Sequence, residues 1–139
     1  MDLRTCKIYL VTDEKACNGK DFYSCIKEAI KGGVGIVQLR EKNISTKDFY
    51  EKALKVKEIC KNYGALFIIN DRLDIAQAVG ADGVHLGQSD MPIEKAREIL
   101  KDRFLIGATA RNIEEAKKVE LLGADYIGSG AIFGTSTKD

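Results

Sequence analysis

The sequence predicts an α/β fold of the (β/α)8 barrel type, incomplete at about six strands and five helices. Three observations predict it. A short phrase recurs where strands should begin: Gly33-Val34-Gly35-Ile36-Val37-Gln38-Leu39-Arg40, Gly80-Ala81-Asp82-Gly83-Val84-His85-Leu86-Gly87 and Gly123-Ala124-Asp125-Tyr126-Ile127-Gly128-Ser129-Gly130. The second and third copies lie roughly two strand-plus-helix units apart, at a barrel-like spacing of about 20–25 residues per unit. Strand-like and helix-like segments alternate throughout, and the strands are nearly continuous apolar runs, as in a parallel sheet covered on both faces. An open, doubly wound sheet also fits a chain of 139 residues. The repeat, and the polar residues gathered at the C-terminal ends of the strands, favour a single barrel domain over residues 1–139 that lacks its last two units.

The elements follow in order. Ile8 to Val11 is β-branched and aromatic, hence a strand. Asp21 to Lys31 is helical, with Phe22, Ile26, Ala29 and Ile30 on one face, and Gly32-Gly33 ends it. Val34 to Leu39 is the second strand. Ser45-Thr46-Lys47-Asp48 has the form of a capping box and opens a helix to Asn62, whose stripe is Phe49, Ala53, Val56 and Cys60. Leu66 to Ile69 is a strand and Asp71 to Val79 a short helix. Gly83 to Leu86 is the fourth strand. Pro92 suits the first turn of the next helix, which runs to Lys101. Phe104 to Gly107 is the fifth strand. Asn112 and Glu115 cap a helix up to Leu122, and a sixth strand starts at Tyr126.

Composition narrows the function classes. The formal net charge of +1 argues against broad electrostatic binding to nucleic acid or an anionic membrane. No apolar run is long enough to span a bilayer, and the first residues lack the apolar segment of a signal peptide, so a cytoplasmic location is expected. Cys6, Cys17, Cys25 and Cys60 form no Cys-x-x-Cys, and His85 has no second histidine with which to build a zinc site. They read as small apolar residues in a reducing compartment.

The polar residues sit at strand ends. Alternation along the second strand puts Ile36, Gln38 and Arg40 on one face, with Lys42 just beyond. A guanidinium fork, an ammonium and an amide in five residues can grip a diphosphate; they also suit an ordinary solvated loop. Asn70-Asp71 closes the third strand and Asp90 follows the fourth. Either pair member suits helix capping. Neighbouring parallel strands lie about 4.8 Å apart, so Asp71 and Asp90 can also face one cation, the usual arrangement for magnesium with substrate phosphates. His85, inside a strand, suits a packed core residue, or a ring that stacks on a substrate. Thr109 can donate to a phosphate or belong to a plain small-residue turn. Gly128-Ser129-Gly130 with Thr135-Ser136-Thr137-Lys138 is either an anion cradle or a tail.

Taken together, Tyr9-Leu10-Val11-Thr12-Asp13, Gln38-Leu39-Arg40-Glu41-Lys42, Ile69-Asn70-Asp71-Arg72, Gly83 to Asp90, Ile106-Gly107 and Thr135 to Lys138 resemble the thiamine-phosphate synthase family. The family is a (β/α)8 barrel, and the resemblance covers about its first three-quarters. It implies a magnesium-dependent transferase that joins a hydroxymethylpyrimidine diphosphate to a thiazole phosphate and releases diphosphate. Carried across, Gln38, Arg40, Lys42, Asn70 and Lys138 hold the pyrimidine diphosphate. Asp71 and Asp90 bind magnesium, His85 lines the pyrimidine pocket, and Thr135 and Thr137 meet the thiazole phosphate. With magnesium, Arg40, Lys42 and Lys138 neutralise the leaving diphosphate, and Thr109 keeps a hydroxyl contact with it. The family's chemistry passes through a pyrimidine methylene cation and needs no protein nucleophile.

Three departures stand out. Thr109-Ala110-Arg111 replaces the family's usual Ser-Thr-His, Gly134 stands where proline is usual, and two strands are absent. Two other readings follow. One is a non-catalytic fragment that binds the pyrimidine diphosphate or assembles into a homo-oligomer through open sheet edges. The other is a thiazole tautomerase, against which Arg40, Lys42, Asp71 and Asp90 argue, because isomerising a thiazole needs no diphosphate grip.

Overall fold

The three repeats are the entries into strands, and the computed structural model shows why they recur. It describes residues 2–130 together with Phe133 and Gly134. Gly33, Gly80 and Gly123, the first residues of the repeats, have φ of 120°, 67° and 107°. Each ends a helix in a conformation that glycine adopts at little cost. Two residues on, the Asp82 carboxylate accepts the Phe67 N–H at 2.7 Å and that of Asp125 accepts the Ile106 N–H at 2.8 Å. Each aspartate therefore satisfies the start of the preceding strand while its own strand begins. In the first copy Gly35 takes this place, because Cys6 packs there: a Cβ would lie 3.2 Å from the Cys6 Cβ.

Six strands result: β1 (Tyr9–Val11), β2 (Ile36–Leu39), β3 (Leu66–Asn70), β4 (Gly83–Leu86), β5 (Leu105–Ala110) and β6 (Tyr126–Ser129). All adjacent pairs are parallel, in the sequential order β1-β2-β3-β4-β5-β6. The five α-helices are α1 (Phe22–Lys31), α2 (Thr46–Tyr63), α3 (Leu73–Val79), α4 (Ile93–Leu100) and α5 (Ile113–Leu121). The sheet is curled into an incomplete barrel. Its convex side carries Val37, Leu39, Phe67, Ile69, Val84, Leu86 and Ile106, buried against the apolar stripes of the helices. The smaller concave cluster is Ile36, Leu66 and Ile68, closed by Leu3, Cys6, Tyr9 and Leu105. A 3-10 turn at Leu3–Thr5 thus contributes to an apolar floor at the N-terminal ends of the strands.

The expected helix caps are present where side chains make them. Asp21 accepts the Ser24 N–H, Ser45 that of Asp48 and Asn112 that of Glu115. Glu115 reaches back to the Arg111 N–H at 2.7 Å, closing a reciprocal cap. Two aspartates suited to capping do other work. α3 starts two residues after Asp71, behind Arg72, and α4 starts behind Pro92; neither has a side-chain cap. The fifth strand also runs further than its apolar residues suggest, through Ala110 rather than Gly107. Thr109 therefore lies in a strand, paired with Gly128, and not in a turn.

Candidate active site

Register brings four residues of the concave face into one row. Asn70 pairs with His85, His85 with Gly107, and Gly107 with Tyr126. Gly107 is the gap in that row that Tyr126 fills: a Cβ there would fall 2.1 Å from the tyrosine ring. Tyr126 lies beside His85, with ring centroids 5.5 Å apart and planes tilted by 34°.

A continuous chain of hydrogen bonds crosses this face. The Asn70 amide donates to Gln38 Oε1 at 2.7 Å, and Gln38 Nε2 donates to the Tyr9 hydroxyl at 2.8 Å. Tyr9 and Tyr126 join hydroxyl to hydroxyl at 2.5 Å, although their strands are opposite edges of the sheet. Tyr126 Oη meets His85 Nδ1 at 3.1 Å, and His85 Nε2 meets Thr109 Oγ1 at 3.0 Å. All six strands contribute one member. Burial raises the pKa of Tyr9 despite its bonds to Tyr126 and Gln38. Burial, then the neighbouring Tyr9, raises that of Tyr126 further. Both phenols therefore remain protonated. Gln38, Asn70 and His85 are buried, and Asn70 Oδ1 is a buried acceptor with no hydrogen-bond partner among the described residues. Such an atom is free to accept a hydrogen bond from a ligand or a water.

Beyond the strand ends lies a charged rim. Asp71 has φ of 63°, a left-handed conformation that aspartate tolerates better than most residues, and its carboxylate pairs with Lys42. Its N–H is held by the His85 carbonyl at 2.8 Å. Asp90 folds back to accept the Gly87 N–H at 2.8 Å. Burial pushes the Asp90 carboxyl above its ordinary pKa, and a hydrogen bond with the Asp71 carboxyl pushes it the same way. Asp71 and Asp90 are therefore neighbours at the rim. Arg40 is half-buried and its N–H donates to Thr12 Oγ1 at 3.1 Å. Glu41 is no solvated loop residue: it is buried down to 17% and paired with Lys52. Lys52 also bonds Glu14 and lies 4.2 Å from the centre of the Phe22 ring. The carboxylate between Arg40 and Lys42 is thus taken up on the helical side. Gln88, two residues past the end of β4, donates to the Thr109 carbonyl at 2.7 Å and ties the two strand ends together.

Gln38, Asn70, His85 and Thr109 are therefore linked to one another, and Lys42, Asp71 and Asp90 form the adjacent cluster. Thr135, Thr137 and Lys138 lie outside the described residues. Sequence reasoning missed Tyr9, Tyr126 and Thr12 as site residues. Strand parity was the available signal, since Tyr9 pairs with Ile36, which shares its face with Gln38.

Comparison with known proteins shows the family. The profile of a family described as thiamine monophosphate synthase matches residues 8–139. The chain belongs to that family. It is 89% identical over 139 residues to a thiamine-phosphate synthase of Fusobacterium nucleatum, covering 100% of this chain and 68% of the relative. Identity to the thiamine-phosphate synthase of Clostridium acetobutylicum is 60% over 132 residues, or 95% of this chain and 63% of that one. A solved thiamine phosphate pyrophosphorylase from Pyrococcus furiosus superimposes with a TM-score of 0.88 at 42% identity. It covers 96% of this chain and 65% of its own. The chain thus spans about two thirds of the length of these relatives, in keeping with a barrel of the same kind that is incomplete here.

Proposed function

We propose that the chain carries the donor half of a thiamine-phosphate synthase site. In this reading a hydroxymethylpyrimidine diphosphate lies along the concave face, and a thiazole phosphate is the acceptor. The observation that carries it is the juxtaposition of two different surfaces. A buried, polar, aromatic row (Asn70, His85, Tyr126) suits a heteroaromatic ring, and the rim of Arg40, Lys42, Asp71 and Asp90 beside it suits a diphosphate.

The chemistry asks the protein for little covalent work. The bond between the pyrimidine methylene and the diphosphate oxygen breaks, and its electron pair leaves with the diphosphate. The thiazole nitrogen then donates its lone pair to the methylene carbon. Arg40 and Lys42 neutralise the growing charge on the leaving group, the guanidinium by forking two oxygens and the ammonium as a point charge. Thr109 donates a hydroxyl hydrogen bond to the same group. The floor of Ile36, Leu66 and Ile68 keeps water from the cation.

Asp71 and Asp90 would hold magnesium. The donor set fits: two adjacent carboxylates, one with its pKa raised by burial and by the other acid. Magnesium takes one or two carboxylates plus substrate phosphates and keeps several waters. Among the described residues no group of three or more His, Cys, Asp or Glu forms a cage, which suits a metal that arrives with its substrate. When bound, the ion supplies further charge neutralisation at the diphosphate. Thr135, Thr137 and Lys138 would complete the phosphate contacts.

Mass spectrometry of the products formed from both substrates and magnesium tests the proposal, with calorimetry of the donor in parallel. Thiamine phosphate supports the full reading. Donor binding without product limits the chain to the donor half-site. No binding of the donor by a folded chain overturns it.

A further inference from the structure

We infer that Tyr126 is a positioning residue: it fixes His85 in the Nε2–H tautomer and so turns the hydroxyl proton of Thr109 towards the ligand. The inference deepens the proposed function, since the outward donor is useful only if an anionic oxygen lies beyond Thr109.

Proton counting gives the direction. The Asn70 amide donates to the Gln38 carbonyl oxygen, so the Gln38 amide nitrogen faces Tyr9 and must donate to it. Tyr9 has one proton and spends it on Tyr126, its remaining partner. Tyr126 has one proton and gives it to His85 Nδ1. Nδ1 then carries no proton, and the imidazole proton lies on Nε2, facing Thr109 Oγ1. With a lone pair engaged by His85, Thr109 has its own proton left to donate. Burial keeps both phenols protonated, so each has one proton to donate.

The chain is therefore polar from end to end. Its ends are an acceptor, the buried Asn70 Oδ1, unpartnered among the described residues, and a donor, the Thr109 hydroxyl. A ligand spanning them offers an N–H to the first and an anionic or lone-pair oxygen to the second. Turning both amides over would reverse every bond. Asn70 would then present a donor, and Thr109 would spend its proton on His85. The tautomer of His85 thus reports the polarity of the whole chain. Tyr126 is the hub because it bonds both Tyr9 and His85, and Gly107 leaves the space its ring occupies.

The protein has one histidine, so a nitrogen-15 correlation spectrum of the ligand-free chain shows a single imidazole. The expected result at neutral pH is a pyridine-like, hydrogen-bonded Nδ1 and a pyrrole-like Nε2. In Tyr126→Phe the Nδ1 resonance should shift, because the Tyr126 hydroxyl proton is gone. In Tyr9→Phe it should stay, because Tyr126 still donates. An Nδ1–H tautomer, or an imidazolium, in the unaltered protein overturns the inference even if Tyr126→Phe fails to fold. An Nδ1 resonance that ignores Tyr126→Phe overturns the role of Tyr126. None of these readings uses substrate, so a failure here is distinct from a failure to bind the pyrimidine diphosphate.

Discussion

Asp90 is a side chain poorly placed for stability. It is partly buried beside Asp71, and its raised pKa records the cost of holding two acids together, with burial the larger cause. Asp90→Asn keeps an acceptor for the Gly87 N–H and removes the repulsion. The thermal midpoint of the metal-free protein should hold or rise, by an equivalent of about 1 kcal/mol or less. Stabilisation by magnesium plus the diphosphate donor should disappear. Thermal melts with and without the two ligands check both halves; a variant that keeps its magnesium response removes Asp90 from the site. Tyr9 and Tyr126 give a second prediction at this scale. Their folded pKa values lie above the ordinary tyrosine value of about 10. Above about pH 10 the unfolded chain therefore loses protons that the native chain keeps, and stability must fall as pH rises. Alkaline unfolding followed by tyrosinate absorbance should release these two phenols together with the fold. Tyr126→Phe should shrink that step by one tyrosine. Ionisation of both phenols ahead of unfolding would contradict the hydrogen-bonded chain.

At the scale of elements, the pairing of β5 with β6 depends on the absence of a side chain. Gly107 faces the Tyr126 ring, and a Cβ added there would sit 2.1–2.5 Å from three ring and hydroxyl atoms. An aromatic ring cannot yield as the end of a lysine can, so Gly107→Ala must push β6 or the ring aside. The expected loss is about 1–3 kcal/mol of stability, read by chemical denaturation. The His85 imidazole signals should shift with it, because the ring carries the bond to Nδ1. A variant with native stability and an unchanged imidazole would show that the seam has room. The same elements show what the sequence could disclose. The alternation of strands and helices was legible because helix stripes and apolar strand runs differ in period. Helix ends were legible where a Ser, Asp or Asn side chain caps. The end of β5 was not, because Gly-Ala-Thr-Ala has little strand character of its own and is held by β4 and β6. Gln38, Asn70 and His85 declared themselves as polar residues in apolar strands. Tyr9 and Tyr126 did not, since a tyrosine in such a strand looks like core until register places its hydroxyl. Asp71 and Asp90 were equally suited to capping, and only the loop geometry shows that neither caps the helix that follows it.

At the scale of the whole molecule the sheet has two edges, β1 and β6, each paired on one side only among the described residues. Natural edge strands are usually blunted by charge, proline or cover. Tyr9-Leu10-Val11 and Tyr126-Ile127-Gly128-Ser129 contain neither a charged residue nor proline. Their apolar residues are partly open: Val11 is 37% exposed, Ile127 39% and the adjoining Ile8 51%. The two edges are bridged on the concave side by one hydroxyl contact between Tyr9 and Tyr126, which fixes their approach without satisfying either backbone. This chain should therefore self-associate as its concentration rises, edge to edge, with β1 and β6 the strands that become protected. Sedimentation velocity across a concentration series measures the association, and amide hydrogen exchange locates it. Ile127→Lys places a charge on an edge and should shift the population towards monomer while leaving the imidazole spectrum of His85 intact. A chain that stays monomeric at every concentration, with both edges exchanging freely, would refute edge pairing. Any acceptor site in such a chain would then have to be built within a single copy.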